Sequence, residues 1–389
     1  MIQNPGASEA RRELSIEFNA SGRKYFRIWI VNLLLTVLTL GFYLPFAKAR
    51  RLRYFYANTV VDGHPLAFHG NPWKMFKGYL LMLALLGAYA MIAQFSPWKA
   101  FWVLLLLAAL WPALWRSSLR FRLCNTSWRG LRFGFAGGLD DVYAAMAPVL
   151  LPALFFLGAQ AWHFDGVNLD NEAEVARAAV AAAPWLVLPL LLLIALLPYS
   201  LARMKTYQQG GLRFAGQVAE LAAGPANFYA LALRTFVAQL LAAVGAVVIF
   251  AIGGVGWALM AGMLGDLSEL GAFAILLLLV GWQAWIGAHF AAELQNLVWN
   301  ATRSQALQVR SQLNALDLTA LTVRNLLLTV FSLGMYRPFA VVNSATLRLG
   351  SVGLTLQGEV AEWRADAGSV THSAADEMSG DFFGIDMGL

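Results

Sequence analysis

The chain carries little charge for its length. Of its 389 residues, 13% are Asp, Glu, Lys or Arg and 59% are hydrophobic. A soluble domain usually has about 25% charged and about 45–50% apolar residues, because its core must be surrounded by a charged surface. The composition therefore argues against a soluble protein. It predicts an integral membrane protein that crosses the bilayer several times.

Cysteine and the common catalytic motifs are also scarce. Cys124 is the single cysteine, so a disulfide within the chain is excluded, and a redox or metal role lacks partner residues. His64 and His69 lie close together, but only Asp62 accompanies them, which argues against a metal site. Serine-hydrolase, phosphate-loop, zinc-protease and dinucleotide motifs do not occur in the sequence. We therefore expect neither an enzyme nor a cofactor.

Long apolar runs are abundant instead. A spanning helix needs roughly 20 mainly apolar residues, and two shorter apolar segments, 28–46 and 322–339, contain Asn, Thr and Gly. Six further segments meet or approach the required length: 78–95, 101–115, 142–162, 184–199, 228–252 and 272–292. The expected fold is an all-α membrane protein, a polytopic bundle of six to eight membrane helices. It comprises a polar N-terminal segment (1–22), a repeat-built membrane domain (23–360) and a mobile acidic tail (361–389).

The charged residues sort by loop. Four loops are basic, and the loops that alternate with them are short or acidic, so the positive-inside bias predicts that the basic loops are cytoplasmic. The net charge of +6 fits contact with anionic lipid and gives no reason to expect nucleic acid as a partner. Protein partners cannot be read from the sequence. The candidate contacts to lipid headgroups are Lys48, Arg50, Arg51, Arg53, Arg116, Arg120 and Arg122.

Two distant stretches of the chain are closely similar. Asn32 begins NLLLTVLTLGFYLPFA, and Asn325 begins NLLLTVFSLGMYRPFA. Chance similarity between apolar helices does not align Asn, Thr, Gly, Tyr and Pro, so this is a duplicated unit. A proline, basic or polar residues and a short alternating piece recur at 45–70, 112–137, 198–216 and 338–358. Alternation predicts half-buried strands, which we expect to pair into a small cytoplasmic β-layer, because unpaired edges are unfavourable.

The duplicated segments allow two topologies. Hydropathy favours eight full spans. The repeat and the flanking charges favour six spans and two re-entrant or interfacial segments, with the steps Leu40-Gly41 and Leu333-Gly334 as break points. Irregular backbone at membrane depth requires cover by protein or water. Both topologies stay open at the level of sequence.

The N-terminal residues also resemble a known family. The pieces concerned are Tyr25-Phe26-Arg27, the run from Asn32 through Leu-Gly-Phe-Tyr-Leu-Pro-Phe-Ala, and Asn58-Thr59. Together they resemble the YjgN-like family of bacterial inner-membrane proteins. Weaker echoes continue to Gly358. The resemblance implies a multi-pass location in the bacterial inner membrane and no established activity. The last copy departs from the pattern, since Ala340-Val-Val-Asn-Ser stands where Ala47-Lys-Ala-Arg-Arg would be expected.

Polar residues in the apolar segments form the candidate functional set. Ionisable groups at membrane depth often mark ion or proton paths, so one hypothesis is a transporter-like or channel-like protein with a polar path. The alternative is a non-catalytic scaffold that binds anionic lipid or a partner. Each residue also has a structural interpretation, such as a hydrogen bond between helices or an Arg234 side chain that extends to the headgroups or pairs with Glu293. The candidate path consists of Asn32, Arg234, Gln283, His289, Glu293, Asn296 and Asn325.

Overall fold

The computed structural model describes residues 11–264 and 268–357, apart from the side chains at 11, 242, 246, 248–279 and 357. The acidic tail predicted for 361–389 lies outside these residues. The helices are α1 Gly22–Leu38, α2 Leu44–Ala57, α3 Pro72–Ala93, α4 Pro97–Cys124, α5 Leu139–His163, α6 Glu172–Gly210, α7 Pro225–Leu264, α8 Ser268–Ala301, α9 Ala315–Phe331 and α10 Arg337–Gly350. The strands are β1 Arg11–Leu14, β2 Ile16–Phe18, β3 Thr59–Val61, β4 His64–Phe68, β5 Thr126–Trp128, β6 Leu131–Phe135, β7 Leu212–Phe214, β8 Gln217–Val218, β9 Glu220–Leu221, β10 Thr302–Arg303, β11 Leu307–Ser311 and β12 Val352–Gln357.

Long apolar helices form the larger part of the described chain. Within the described residues, α3, α4, α5, α6 and the segment Pro225–Gly245 of α7 are long and apolar enough to cross a membrane. Five of the six long segments predicted from sequence lie within α4 to α8, and the segment 78–95 extends two residues past the end of α3. A helical membrane protein is thus confirmed, whereas the predicted number of six to eight spans is not.

The two duplicated segments fold as short helical hairpins. α1 turns into α2, and α9 turns into α10, through the two Leu-Gly steps identified in the sequence. Leu40 and Leu333 both have φ of 50°, and Gly41 and Gly334 have φ of 94° and 87°. A helix of 17 residues is about 25 Å long, which is shorter than the roughly 30 Å hydrocarbon core of a bilayer.

All the described strands gather at one end of the helices, because β1 and β2 precede α1 and every other strand follows the second helix of a helix pair. They form two antiparallel sheets, with the orders β1-β12-β11-β10-β9 and β2-β3-β4-β5-β6-β7-β8. The predicted β-layer is therefore present, and the description of the fold as all-α was too narrow. Its strands are only two to six residues long, so their apolar periodicity is weak beside that of the helices.

The outer strands of one sheet are directly connected along the chain to the outer strands of the other. β1 continues into β2 through Ser15, and β8 continues into β9 through Ala219, so each edge of one sheet passes directly into the other. Side chains from both sheets pack together in one core that includes Leu14, Trp128 and Leu356. Each outer strand thus continues into the other sheet, and the two sheets face each other across this core.

The helices also form a closed series of neighbours. Each helix packs against its neighbours in the chain, and α10 also packs against α1. Phe26 and Phe339 meet at this junction, with their ring centroids 5.8 Å apart. The helices therefore form a closed ring of neighbouring contacts, and we call this arrangement the helix ring. The end of the helices that carries the strands is called the β-layer end.

Candidate functional site

Asn32 and Asn325 hold the short hairpins together. Both side chains are buried. The Asn32 amide donates to the Ala47 carbonyl at 3.5 Å, and the equivalent Asn325 amide donates to the Ala340 carbonyl at 3.3 Å. In each copy the side chain therefore crosslinks the two helices of its hairpin, which agrees with the structural interpretation of these residues.

The two copies differ at the carbonyl oxygen of this asparagine. Arg50 donates to Asn32 Oδ1 at 3.3 Å. In the second copy Asn343 stands at the position of Arg50, and the buried Oδ1 of Asn325 has no hydrogen-bond partner among the described residues. The sequence departure in the last copy thus leaves this carbonyl oxygen without the guanidinium that binds its counterpart in the first hairpin.

Asn296 clamps the connection between β11 and α9. Its amide donates to the Leu313 carbonyl at 2.8 Å, and its Oδ1 accepts from Ser311 Oγ and from the Leu313 N–H, both at 2.9 Å. One turn further along α8, Asn300 binds both the N–H and the carbonyl of Ser311, at 2.7 and 3.0 Å. The polar side chains that run along α8 from Gln283 to Asn300, here called the α8 polar stripe, therefore end in two side chains that satisfy backbone groups.

The remaining candidates for a polar path lie on α7 and α8. Arg234 and Gln283 are exposed, and Glu293 is half-buried. His289 is half-buried and stacks on Trp285, with 6.1 Å between the ring centroids. Arg234 and Glu293 form no ion pair with each other. Within the described part of the chain, none of the seven candidates is hydrogen-bonded to another, so a polar path through them stays a prediction.

The candidate headgroup residues lie on α2 and on the last nine residues of α4, which both end on the β-layer. Some of them also support the fold. Arg53 donates to the Gly70 carbonyl at 3.0 Å, and Arg116 Nε donates to the Gly137 carbonyl at 2.7 Å. Both glycines follow a strand hairpin, so these arginines connect the β-layer to the helix ends while they carry positive charge there.

Two further basic residues stand at the β-layer end, and the sequence analysis did not assign them a role. Lys205 near the end of α6 donates to Gln208 Oε1 at 3.2 Å. Arg348 near the end of α10 donates to Gln295 Oε1 at 2.8 Å, and burial lowers the pKa of Arg348. No local motif relates Lys205 on α6 to Arg348 on α10, so the sequence offered no signal.

The opposite end of the helices has a different charge. The connection between α5 and α6 contains Asp165, which accepts from Ser96 Oγ at 2.6 Å and from the Trp98 N–H at 3.4 Å. Glu174 in the first turn of α6 accepts from Asn171 at 3.0 Å. Acidic side chains thus order the loops at this end, whereas basic side chains dominate the β-layer end.

These features define a class of protein, a multi-pass helical membrane protein with an antiparallel β-layer at one end of its helices. Residues 13–163 and 159–381 match the family model described as a bacterial protein of unknown function, DUF898. Because the matched residues make up more than half of the chain, the protein belongs to this family.

Curated relatives carry the name inner membrane protein YjgN. The chain is 30% identical to the protein of Salmonella typhimurium strain LT2 over 159 residues, which is 40% of each chain. It is 34% identical to the protein of Escherichia coli strain K12 over 145 residues, 37% of this chain and 36% of the relative. The match thus spans about two fifths of the length of these relatives. They confirm the resemblance to the YjgN-like family. No solved structure matches the chain.

Proposed function

We propose that this protein resides in the bacterial inner membrane, with its β-layer in the cytoplasm, and binds anionic phospholipid headgroups without catalysis. The names of its relatives support the location. The basic residues at the β-layer end and the acidic loop between α5 and α6 support the proposed orientation, since Lys and Arg are retained on the cytoplasmic side.

The observation that carries the proposal is the sharp separation of apolar and basic surface along the helices. The middle of α6 exposes Trp185, Leu188, Leu191 and Ile194, which are side chains suited to hydrocarbon. At the β-layer end, α2 alone carries four basic residues within 14 residues. Each Lys or Arg near an anionic leaflet contributes about 1 kcal/mol to its attraction. A belt of such residues therefore selects negatively charged lipid.

The short hairpins fit re-entry into the membrane from the cytoplasmic side. Both ends of each hairpin connect to strands, and the tips expose Leu40 and Leu333, which are 90% and 94% accessible. Gly41 lies beside the Tyr79 hydroxyl, about two turns into α3. The proposed topology therefore has six spanning helices, α3 to α8, and two hairpins that enter the bilayer partway.

A transport function has weaker support. Asn32, Asn325 and Asn296 use their amide groups for bonds within the chain, which leaves fewer polar groups for a conducting path. Gln283, His289 and Glu293 are the residues on which such a path would depend. Substitution of Glu293 by Gln in a transport assay addresses that alternative.

The lipid proposal is tested in nanodiscs that contain phosphatidylcholine with a minor fraction of phosphatidylglycerol. Spin-labelled lipids of both classes report which headgroup associates with the protein. We expect the wild type to prefer phosphatidylglycerol and the double variant Arg51→Gln, Arg120→Gln to lose about 1 kcal/mol of that preference per charge. Lys99→Gln, at the opposite end of the helices, is the matched control. Equal association of both lipids with the wild type would refute the proposal.

A further inference from the structure

A cavity of about 400 Å³ lies between α3, α4 and α5 at the end of the helices opposite the β-layer. Sites for small molecules have volumes of about 300 to 1,000 Å³. We propose that this cavity, the outer cavity, binds a small soluble organic ammonium cation. It is separate from the lipid-binding surface proposed at the β-layer end. Its lining includes Tyr89, Phe101, Leu104, Leu157, Gln160 and Phe164.

Three aromatic rings from three segments of the chain line the outer cavity. They belong to Tyr89 on α3, Phe101 on α4 and Phe164 directly after α5. The face of an aromatic ring attracts a cation, and several rings around one pocket are a common means of holding a quaternary ammonium group. Within the described residues, neither the Tyr89 hydroxyl nor the Gln160 side-chain amide has a hydrogen-bond partner. Both polar groups are therefore available to a ligand.

One carboxylate stands at the rim of the outer cavity. Asp165 follows Phe164, and its Oδ1 accepts from Ser96 Oγ at 2.6 Å and from the Trp98 N–H at 3.4 Å. Ser96 and Trp98 flank Pro97, which also lines the cavity. Asp165 is exposed and forms no ion pair with any residue that the structure describes. Its charge is thus held in place beside the aromatic rings, where it attracts cations and repels anions.

The helix ends at the outer cavity agree with a cationic ligand. Tyr89 and Gln160 lie near the C-terminal ends of α3 and α5, which carry partial negative charge. The N-terminal end of α4 is already capped, since Ser96 Oγ accepts from the Lys99 N–H at 3.1 Å. Residues two apart in a helix are about 200° apart around its axis, so Lys99 lies on the side of α4 away from Pro97. The cavity therefore keeps negative surroundings.

The same geometry favours a soluble cation over a lipid headgroup. Leu104 lines the cavity, whereas Leu106, two residues further along α4, is 51% exposed. Gln160 lines the cavity, whereas Trp162 on the opposite side of α5 is 63% exposed. Leu106 and Trp162 are suited to hydrocarbon and its interface. The outer cavity thus lies on the other side of both helices from this apolar surface, and the exposed Asp165 at its rim gives access from water.

The test uses purified full-length protein in a neutral detergent and equilibrium dialysis with radiolabelled choline. The matched neutral probe is the isostere of choline in which a quaternary carbon replaces the nitrogen, and it is measured by competition. We expect choline to bind at least about tenfold more tightly than this isostere, because the rings and the carboxylate attract only the charged ligand.

Two variants separate the carboxylate from the rings. Asp165→Asn keeps an oxygen that can accept from Ser96 and Trp98, so the helix ends stay connected, and it should weaken choline binding about fivefold. Phe101→Leu keeps an apolar side chain but removes a ring, and it should weaken binding about three- to tenfold. Asp170→Asn is the matched control, because Asp170 is exposed in the same loop. It should change binding by less than about twofold.

Several outcomes would overturn the inference. One is the absence of choline binding to the wild type at about 10 mM. Another is equal affinity for choline and its isostere, since the cavity would then be a general apolar pocket. Unchanged binding by both Asp165→Asn and Phe101→Leu would place choline elsewhere. Displacement by a short-chain phosphatidylethanolamine far below the concentration needed with free ethanolamine would assign the site to a lipid headgroup. The nanodisc preference tests the lipid proposal independently of all these results.

Discussion

Replacement of Asn296 by alanine separates a structural role of the α8 polar stripe from a role in transport. Asn296 makes three hydrogen bonds of 2.8 to 2.9 Å to Ser311 and Leu313. Leu313 is only 3% exposed, so water cannot easily replace the lost partner of its N–H and carbonyl groups. The substitution should therefore destabilise the protein directly.

The expected magnitude follows from these contacts. Each hydrogen bond contributes about 1 kcal/mol, so the three together contribute about 3 kcal/mol. Alanine has a higher helix propensity than asparagine by roughly 0.6 kcal/mol, which offsets part of the loss. We expect Asn296→Ala to lower the free energy of unfolding by about 2 to 3 kcal/mol. Gln283→Ala, at an exposed position of the same helix, should stay within about 0.5 kcal/mol of the wild type.

The assay is reversible unfolding in mixed micelles with increasing dodecyl sulfate, followed by tryptophan fluorescence. A change below about 1 kcal/mol for Asn296→Ala would refute the reasoning, because three short bonds to a buried backbone would then contribute almost nothing. Unchanged stability combined with a lost solute flux would favour the polar path instead.

Two further predictions concern the β-layer and the orientation. Trp128 Nε1 donates to the buried Val61 carbonyl at 3.1 Å. Trp128→Phe should therefore lower the free energy of unfolding by about 1 to 3 kcal/mol in the same assay. An unchanged unfolding midpoint would contradict this prediction. In a Cys124→Ser background, Leu169→Cys should react with an impermeant maleimide from outside intact cells, because the loop between α5 and α6 is proposed to be periplasmic. Labelling only after permeabilisation would reverse the proposed orientation.

The spanning helices could be predicted because lipid imposes a length on them. The segment predicted at 142–162 lies inside α5, Leu139–His163, since a continuous apolar run has one main interpretation. The segment at 28–46 was ambiguous for the opposite reason. This segment joins the second half of α1 to the start of α2, and together they have about the length of one span. Only the backbone conformation at Leu40-Gly41 shows that the chain reverses there.

The strands were predictable where the turn between them had a clear signature. Asp62-Gly63 and Arg129-Gly130 adopt positive φ at both positions, as in tight two-residue hairpins. The hairpin of β10 and β11 was missed, because its connection around Ser304 lacks a glycine. The hydrogen bond from Arg348 on α10 to Gln295 on α8 was beyond sequence reasoning, since it depends on how distant helices pack.

Ring closure also accounts for the positions of the duplicated hairpins at distant points in the sequence. β1 pairs with β12, the last strand of the chain, and Leu14 lies opposite Leu354. β2 pairs with β3, the first strand after a helix pair. The segment β1–β2, which precedes α1, therefore links the last strand to the first. That pairing brings α10 against α1. Two hairpins that lie almost 300 residues apart in the sequence thereby become neighbours, and together they lower one continuous side of the helix ring.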